Sequence, residues 1–317
     1  MLFRSDPEQP KQSAPPRIPS FFDPAEESKE GNVGANITES DRRIALARWI
    51  TNPTNPLTAR VIANRLWQGH FGTGIVATPN DFGMNGLQPT HPELLDWLAN
   101  DLVRNGWSLK KLHRKIVLSK TYRQSASMND RGASLDADAR LLWRYPKRRL
   151  EAEAIRDTFL FVSGELNPTM YGRGFDLFDQ RGGLSGFKPI ESYREDGLRR
   201  MIYAHKIRRE REAVFGAFDC PDAGQSTGLR RTSTTPIQAL NLLNSRFTIE
   251  RSKAFAERVK RESDGDLDKQ LRKLFELSLM REPTQVEISE CSEVASAYGL
   301  EAVCRAILNS NEFLFIP

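Results

Sequence analysis

From Ser40 onward, apolar residues recur at helical spacing through most of the chain. Leu57, Val61, Ile62 and Leu66 make one such face, and Leu94, Leu95, Leu98 and Leu102 a second. Leu109, Leu112, Ile116 and Val117 make a third, and Leu267, Leu271, Leu274 and Phe275 a fourth. Each face is bounded by residues that start or stop helices. Asn55 before Pro56 predicts an N-cap with proline at the first helical position, opening a helix to about His70 that Gly72 closes. Thr90-His91-Pro92-Glu93 fits a capping box, with Gly106 as the stop, and Ser108 caps the next helix. Thr235 with Gln238, and Thr284 with Glu287, are further capping boxes. Helices are also predicted over Arg148–Ser163, Gly197–Glu212, Phe247–Lys260, Leu267–Met280 and Leu300–Leu308. Only Gly74–Ala77 and the neighbourhood of Leu141–Trp143 read as short strands. The fold class is therefore all-α, a multi-helix globular domain over residues 41–317.

Two segments break the helical pattern. Residues 1–40 hold Pro7, Pro10, Pro15, Pro16, Pro19 and Pro24 among Ser, Glu, Lys and Gly, and read as a disordered linker in which Phe21 and Phe22 could dock locally. Residues 165–190 carry Gly172, Gly174, Gly182, Gly183 and Gly186 among Tyr171, Phe175, Phe178 and Phe187. That stretch is too long and too glycine-rich for a simple connector, so it reads as a functional loop or a subdomain seam.

Composition changes this picture little. Of 317 residues, 39% are apolar and 27% charged, ordinary values for a folded domain. The net charge of +5 comes from 46 Lys and Arg against 41 Asp and Glu, interspersed almost everywhere, which makes nucleic acid a poor partner. No run approaches the roughly 18 apolar residues that span a bilayer, so membrane insertion is not expected. The amino end, Met1-Leu2-Phe3-Arg4-Ser5-Asp6, has no apolar signal region. Cys220, Cys291 and Cys304 make no CxxC pair and no haem-attachment spacing. A Cys291–Cys304 disulfide is conceivable, but small buried thiols are the simpler expectation.

Several stretches together carry a resemblance. They are Asn55–Val61, Asn64–Gln68, Phe71–Gly83, Pro89–Trp97, Gly106–Lys110, Leu118–Gln124 and Arg148–Asp157, then Phe218–Asp222, Gln238–Asn244, Arg281–Thr284 and Leu308–Phe313. In this order they resemble the domain-of-unknown-function 1553 family, a carboxy-terminal domain typical of large planctomycete proteins. The resemblance runs from about Asp41 to the end. It implies an exported protein in which a companion domain, and often a cytochrome-c-like haem domain, lies upstream. Location would then be periplasmic or extracellular, although this chain alone leaves location open. No catalytic residue and no cofactor come with the resemblance.

Candidate chemistry is sparse. Asp81-Phe82-Gly83 matches the magnesium-binding triplet of protein kinases, but without the accompanying loops it reads as a turn. Glu153 and Asp157 are four apart on one predicted helix and could form an acid/base pair or hold a hard metal, but a surface ion-pair ladder with Arg149 and Arg156 is the favoured reading. His70, His91 and His113 fall on three successive helices without HxH, HxxxH or HExxH spacing, so no metal site is expected. Arg230 and Arg231 precede the Thr235 cap, where free amides and guanidinium groups together suit an anion. Their alternative partners are Asp219 and Asp222. Arg199, Arg200, Lys206, Arg208 and Arg209, with Tyr203, make a basic face diluted by Glu195, Asp196, Glu210 and Glu212. Trp49, Trp67, Trp97, Trp107 and Trp143 read as core. The favoured expectation is a non-catalytic binding or assembly domain whose partners are companion domains of the same parent protein or operon. A hydrolase of anionic polysaccharide would instead combine Glu153, Asp157, Arg230, Arg231 and a histidine such as His91 in one pocket lined by residues 165–190. Nucleic-acid binding would need a continuous basic stripe.

Overall fold

A computed structural model describes residues 38–179, 188–206, 218–221, 225–263 and 265–316. Most of the predicted linker, the middle of the glycine-rich stretch and the Ile207–Glu212 end of the predicted basic helix lie outside the described residues. The chain divides into two compact units, one ending at Arg144 and the other beginning at Tyr145. The 165–190 stretch falls inside the second. Helices carry both units. Among the described residues, strands are four two-residue pieces in two pairs.

The first unit contains α1 (Glu39–Thr51), α2 (Thr58–Phe71), α3 (Pro92–Arg104), α4 (Leu109–Leu118) and α5 (Asp130–Leu135). Gly72 closes α2 with φ 81°, as its lack of Cβ allows. Ser108 caps α4 by accepting from the Lys111 amide. Two starts differ from expectation. Helix α2 begins at Thr58 rather than Pro56, because the Asn55 side chain takes the amides of Leu57 and Thr58 two and three residues on, forming a turn before the helix. Pro92 opens α3 with His91 as the cap residue, and the Thr90 hydroxyl donates to the Ile75 carbonyl, so no capping box forms there.

The buried face of α2 is Ala59, Ala63, Asn64, Trp67 and Phe71, offset from the aliphatic residues that mark it in sequence. Asn64 explains the offset. Fully buried, it exchanges two hydrogen bonds with the backbone of Val76, at 2.8 and 2.9 Å, and pins the 73–77 segment as a loop where a strand is predicted. The 141–143 segment is likewise not a strand. Of the five tryptophans expected in the core, Trp67 is buried, whereas Trp97 is 55% exposed beneath the Lys115 ammonium.

In the second unit, β1 (Arg148–Arg149) leads into α6 (Ala152–Ser163), followed by β2 (Phe175–Asp176) and β3 (Ala204–His205). Then come α7 (Pro236–Asn244), α8 (Arg246–Glu262), α9 (Leu267–Leu279), α10 (Gln285–Tyr298), α11 (Leu300–Leu308), α12 (Asn311–Leu314) and β4 (Phe315–Ile316). β1 pairs antiparallel with β4, Arg149 opposite Phe315, so the helix predicted from Arg148 starts only at Ala152. β2 pairs parallel with β3, Phe175 opposite Ala204.

Helix α8 is central, packed against α6, α9 and α11. Phe255, Ala256, Val259, Leu271, Leu274, Ile155, Leu160, Cys304 and Leu308 are sealed from solvent there, and each large side chain contributes about 2 kcal/mol on burial. Both predicted capping boxes form, Thr235 with Gln238 on α7 and Thr284 with Glu287 on α10.

The predicted helix from Gly197 does not exist over its described part. Its residues form two short 3-10 turns, Glu195–Leu198 and Met201–Tyr203, followed by β3. Buried arginines take over the role of helical hydrogen bonds. Arg156 on α6 donates to the carbonyls of Gly197 and Arg199. Arg199 in turn donates to the carbonyls of Thr169, Tyr171 and Arg173 while stacking on Tyr203. These bonds fix the 167–176 segment against β3. A Cβ on Gly174 would sit 2.4 Å from the Tyr203 carbonyl, which explains glycine there.

Candidate anion-binding cleft

Three segments of the second unit meet at one cleft: β1 with the start of α6, the Phe218–Pro221 turn, and the irregular run Arg230–Thr235 before α7. Arg149, Leu150, Glu151, Phe218, Asp219, Arg230, Arg231 and Thr232 line it. Each side chain is placed by a local cause. β1 pairing with β4 extends the backbone at Arg149, and its guanidinium lies 5.0 Å over the Phe218 ring. From there Nη1 donates to the Ser233 carbonyl and the Gln238 side-chain oxygen, while the buried Nε has no hydrogen-bond partner.

Arg230 forks onto Glu153, with Nη1 to Oε2 at 2.6 Å and Nη2 to Oε1 at 3.0 Å, and Glu151 lies 3.2 Å away. Burial pushes the Glu153 carboxyl up, but the Arg230 hydrogen bonds and charge outweigh it and hold it below the usual carboxylate range. That is the wrong direction for a general acid. The arginine's own pKa rises, first through the Glu153 hydrogen bond. Asp219, one of the alternative partners, instead accepts from the Ser233 amide and hydroxyl at 2.7 and 2.8 Å; Asp222, the other, lies outside the described residues. Asp219 adopts φ 60°, a left-handed conformation with a steric cost for a residue bearing Cβ. Arg231 is exposed at the rim.

Beyond Glu153 the cluster continues inward. The Cys220 thiol donates to Glu153 Oε1 at 3.4 Å and accepts from Lys206 Nζ at 2.8 Å. Burial raises the Cys220 pKa ahead of the lowering from Lys206. The Thr235 hydroxyl is spent on the Gln238 amide, so it serves the helix cap.

A family model described as "Protein of unknown function (DUF1553)", PSD1, matches residues 42–295. The chain belongs to the DUF1553 family. No curated protein and no solved structure matches it. In this DUF1553 chain the other candidate residues have partners of their own. Asp157 accepts from the Met201 amide at 2.7 Å and faces Arg200, so it and Glu153 turn to different partners although both lie on α6. Arg149, expected to pair with Glu153, does not. His91 sits at the start of α3 in the first unit, bonded to Thr90. His70 and His113 do meet, Nε2 to Nδ1 at 2.7 Å, linking α2 to α4. Among the described residues no three His, Cys, Asp or Glu side chains are grouped to hold a metal ion.

Of the basic face, Arg199 is buried on carbonyls, Arg200 faces Asp157 and Lys206 faces Cys220; Arg208 and Arg209 lie outside the described residues. Reasoning from sequence missed Arg149, Cys220 and Lys206 as neighbours of the cleft. The one signal for them was that Arg149 and Cys220 fall in stretches carrying the family resemblance.

Proposed function

We propose that this chain is a non-catalytic binding or assembly domain, and that its cleft receives an anionic group from a ligand or partner. The observation that carries this reading is how the charges are committed. Glu153 is tied to Arg230 and Asp219 to Ser233, while the Arg231 guanidinium stands at the rim and Arg149 Nε has a donor to spare. A site so arranged suits an anion held by guanidinium contacts, and Glu153, held below the usual carboxylate range by Arg230, is not a general acid. Placement in a larger extracytoplasmic, haem-associated protein rests on the family resemblance, and the companion domain is the partner assigned. With Glu153 bound by Arg230 and Asp157 by the Met201 amide, the hydrolase reading lacks an acid/base pair on α6.

Calorimetric titration of inorganic phosphate into the full chain tests the cleft. Saturable binding that weakens with salt is expected, and Arg231→Ala should weaken it about tenfold, the value of one charge-assisted contact. An absence of saturable binding, or equal binding by the variant, overturns it. For assembly, co-elution with the companion domain is expected; separate elution at micromolar concentration overturns that role.

A further inference from the structure

Lys206 and Cys220 are 14 residues apart in sequence, yet Nζ lies 2.8 Å from Sγ. Lys206 follows β3 and lines a groove of about 460 Å³ with Arg173, Gly174 and His205. Cys220 itself is buried, with 8% of its surface exposed. Its other hydrogen-bond partner is Glu153, which Arg230 occupies with both guanidinium nitrogens. Among the described residues, Cys220 is the thiol with an amine at hydrogen-bonding distance; Cys291 has the carboxylates of Glu287 and Glu290 as its charged neighbours.

We infer that Cys220 and Lys206 form an oxidant-driven covalent link, a sulfenamide, with hydroperoxide as the co-reactant. In the first step the Cys220 thiol gives up its proton, and the thiolate sulfur attacks one peroxide oxygen, whose leaving hydroxide takes that proton. The O–O bond breaks, water leaves, and Cys220 becomes a sulfenic acid, oxidised by two electrons while the peroxide is reduced. Lys206 then sheds one proton to the groove, and its amine attacks the sulfur. The S–N bond forms, the S–O bond breaks, and a second water departs. Thiol, ammonium and hydrogen peroxide thus give sulfenamide, two waters and one proton. The link joins the end of β3 to the Phe218–Pro221 turn and removes one positive charge next to Cys220. A thiol returns both side chains to their starting state.

Intact-mass and peptide mass spectrometry of the full chain after hydrogen peroxide treatment decides this. The expected result is a loss of about 2 Da, two hydrogens, reversed by dithiothreitol, with Lys206 and Cys220 in one cross-linked peptide. Cys220→Ser and Lys206→Arg should both abolish the loss, with circular dichroism confirming that each is folded. The yield should rise with pH, because the lysine must deprotonate. Oxygen gain on Cys220 without cross-linking, a disulfide between two chains, no change in mass, or the same 2 Da loss in Lys206→Arg would each overturn the assignment.

Discussion

The Arg156 guanidinium, sealed inside the second unit, donates to the carbonyl of Arg199 at 2.9 Å, and the Arg199 side chain then binds three carbonyls of the 167–176 segment. One buried arginine thereby orders a second, and the pair supplies hydrogen bonds that a helix would otherwise make internally. The ring faces of Phe175, Tyr193 and Phe247 surround Arg156, at 5.0 to 5.5 Å from its guanidinium carbon, offsetting part of the cost of burying charge.

Replacing Arg156 by Met fills similar volume but leaves the Gly197 and Arg199 carbonyls without donors. A loss of about 3 kcal/mol is expected in urea unfolding. Arg156→Lys should recover only part of it, since an ammonium cannot fork in the plane. A loss below about 1 kcal/mol for Arg156→Met would show that the segment is held by other contacts.

Acid stability should depend on Arg281. Its guanidinium bonds Glu287 and Glu312, with Nη2 to Glu287 Oε1 and Nε to Glu312 Oε1 both at 2.6 Å. The Arg281 bonds, with the Thr284 amide, lower the Glu287 pKa to about 2 from 4.5, and Glu312 is lowered too, first by Arg281. For carboxyls depressed on folding, the stabilisation is present above the unfolded value and is lost as pH falls through the folded value. Stability should therefore decline from about pH 4.5 towards about pH 2, less steeply in high salt because the groups are partly exposed. Arg281→Met should flatten that slope; an unchanged slope in urea midpoints against pH would contradict the assignment.

The Thr235 hydroxyl caps α7 and is not turned to the cleft. Thr235→Ala should lower stability by about 1 kcal/mol and leave phosphate affinity within about twofold of wild type. A tenfold loss of binding would place the hydroxyl in the ligand site.

Phe255 is fully buried on α8 between helices that converge on it. Phe255→Ala should cost about 3 to 5 kcal/mol through lost burial and a residual cavity. A fall in thermal midpoint of only a degree or two would mean that the neighbouring helices collapse into the space.

The helices most legible in sequence were those with short-range signals. α10 announces itself through Thr284 and Glu287, α7 through Thr235, Pro236 and Gln238, and α9 through its aliphatic spacing, because period and cap involve residues within a turn or two of each other. Where the pattern misled, a longer-range partner had intervened. Asn64 bound Val76 and kept 73–77 a loop, β4 captured Arg148 and Arg149 as a strand, and Arg156 drew the 195–201 segment out of helical form.

The candidate site shows the same division. Arg230 and Arg231 were visible as cations before a helix cap, yet nothing local told that Glu153, 77 residues earlier, would occupy Arg230. Nor could spacing bring Lys206 to Cys220 or set the rings of Phe175, Tyr193 and Phe247 around Arg156. Amino-acid order by itself determined the all-α class, the caps of α4, α7 and α10, and the family, since these follow from patterns that neighbouring residues carry. Tertiary structure alone decided which charges neutralise one another and which remain open to a ligand. Such pairings depend on the path of intervening chain and on burial, which strengthens a contact between charges only once packing has excluded water.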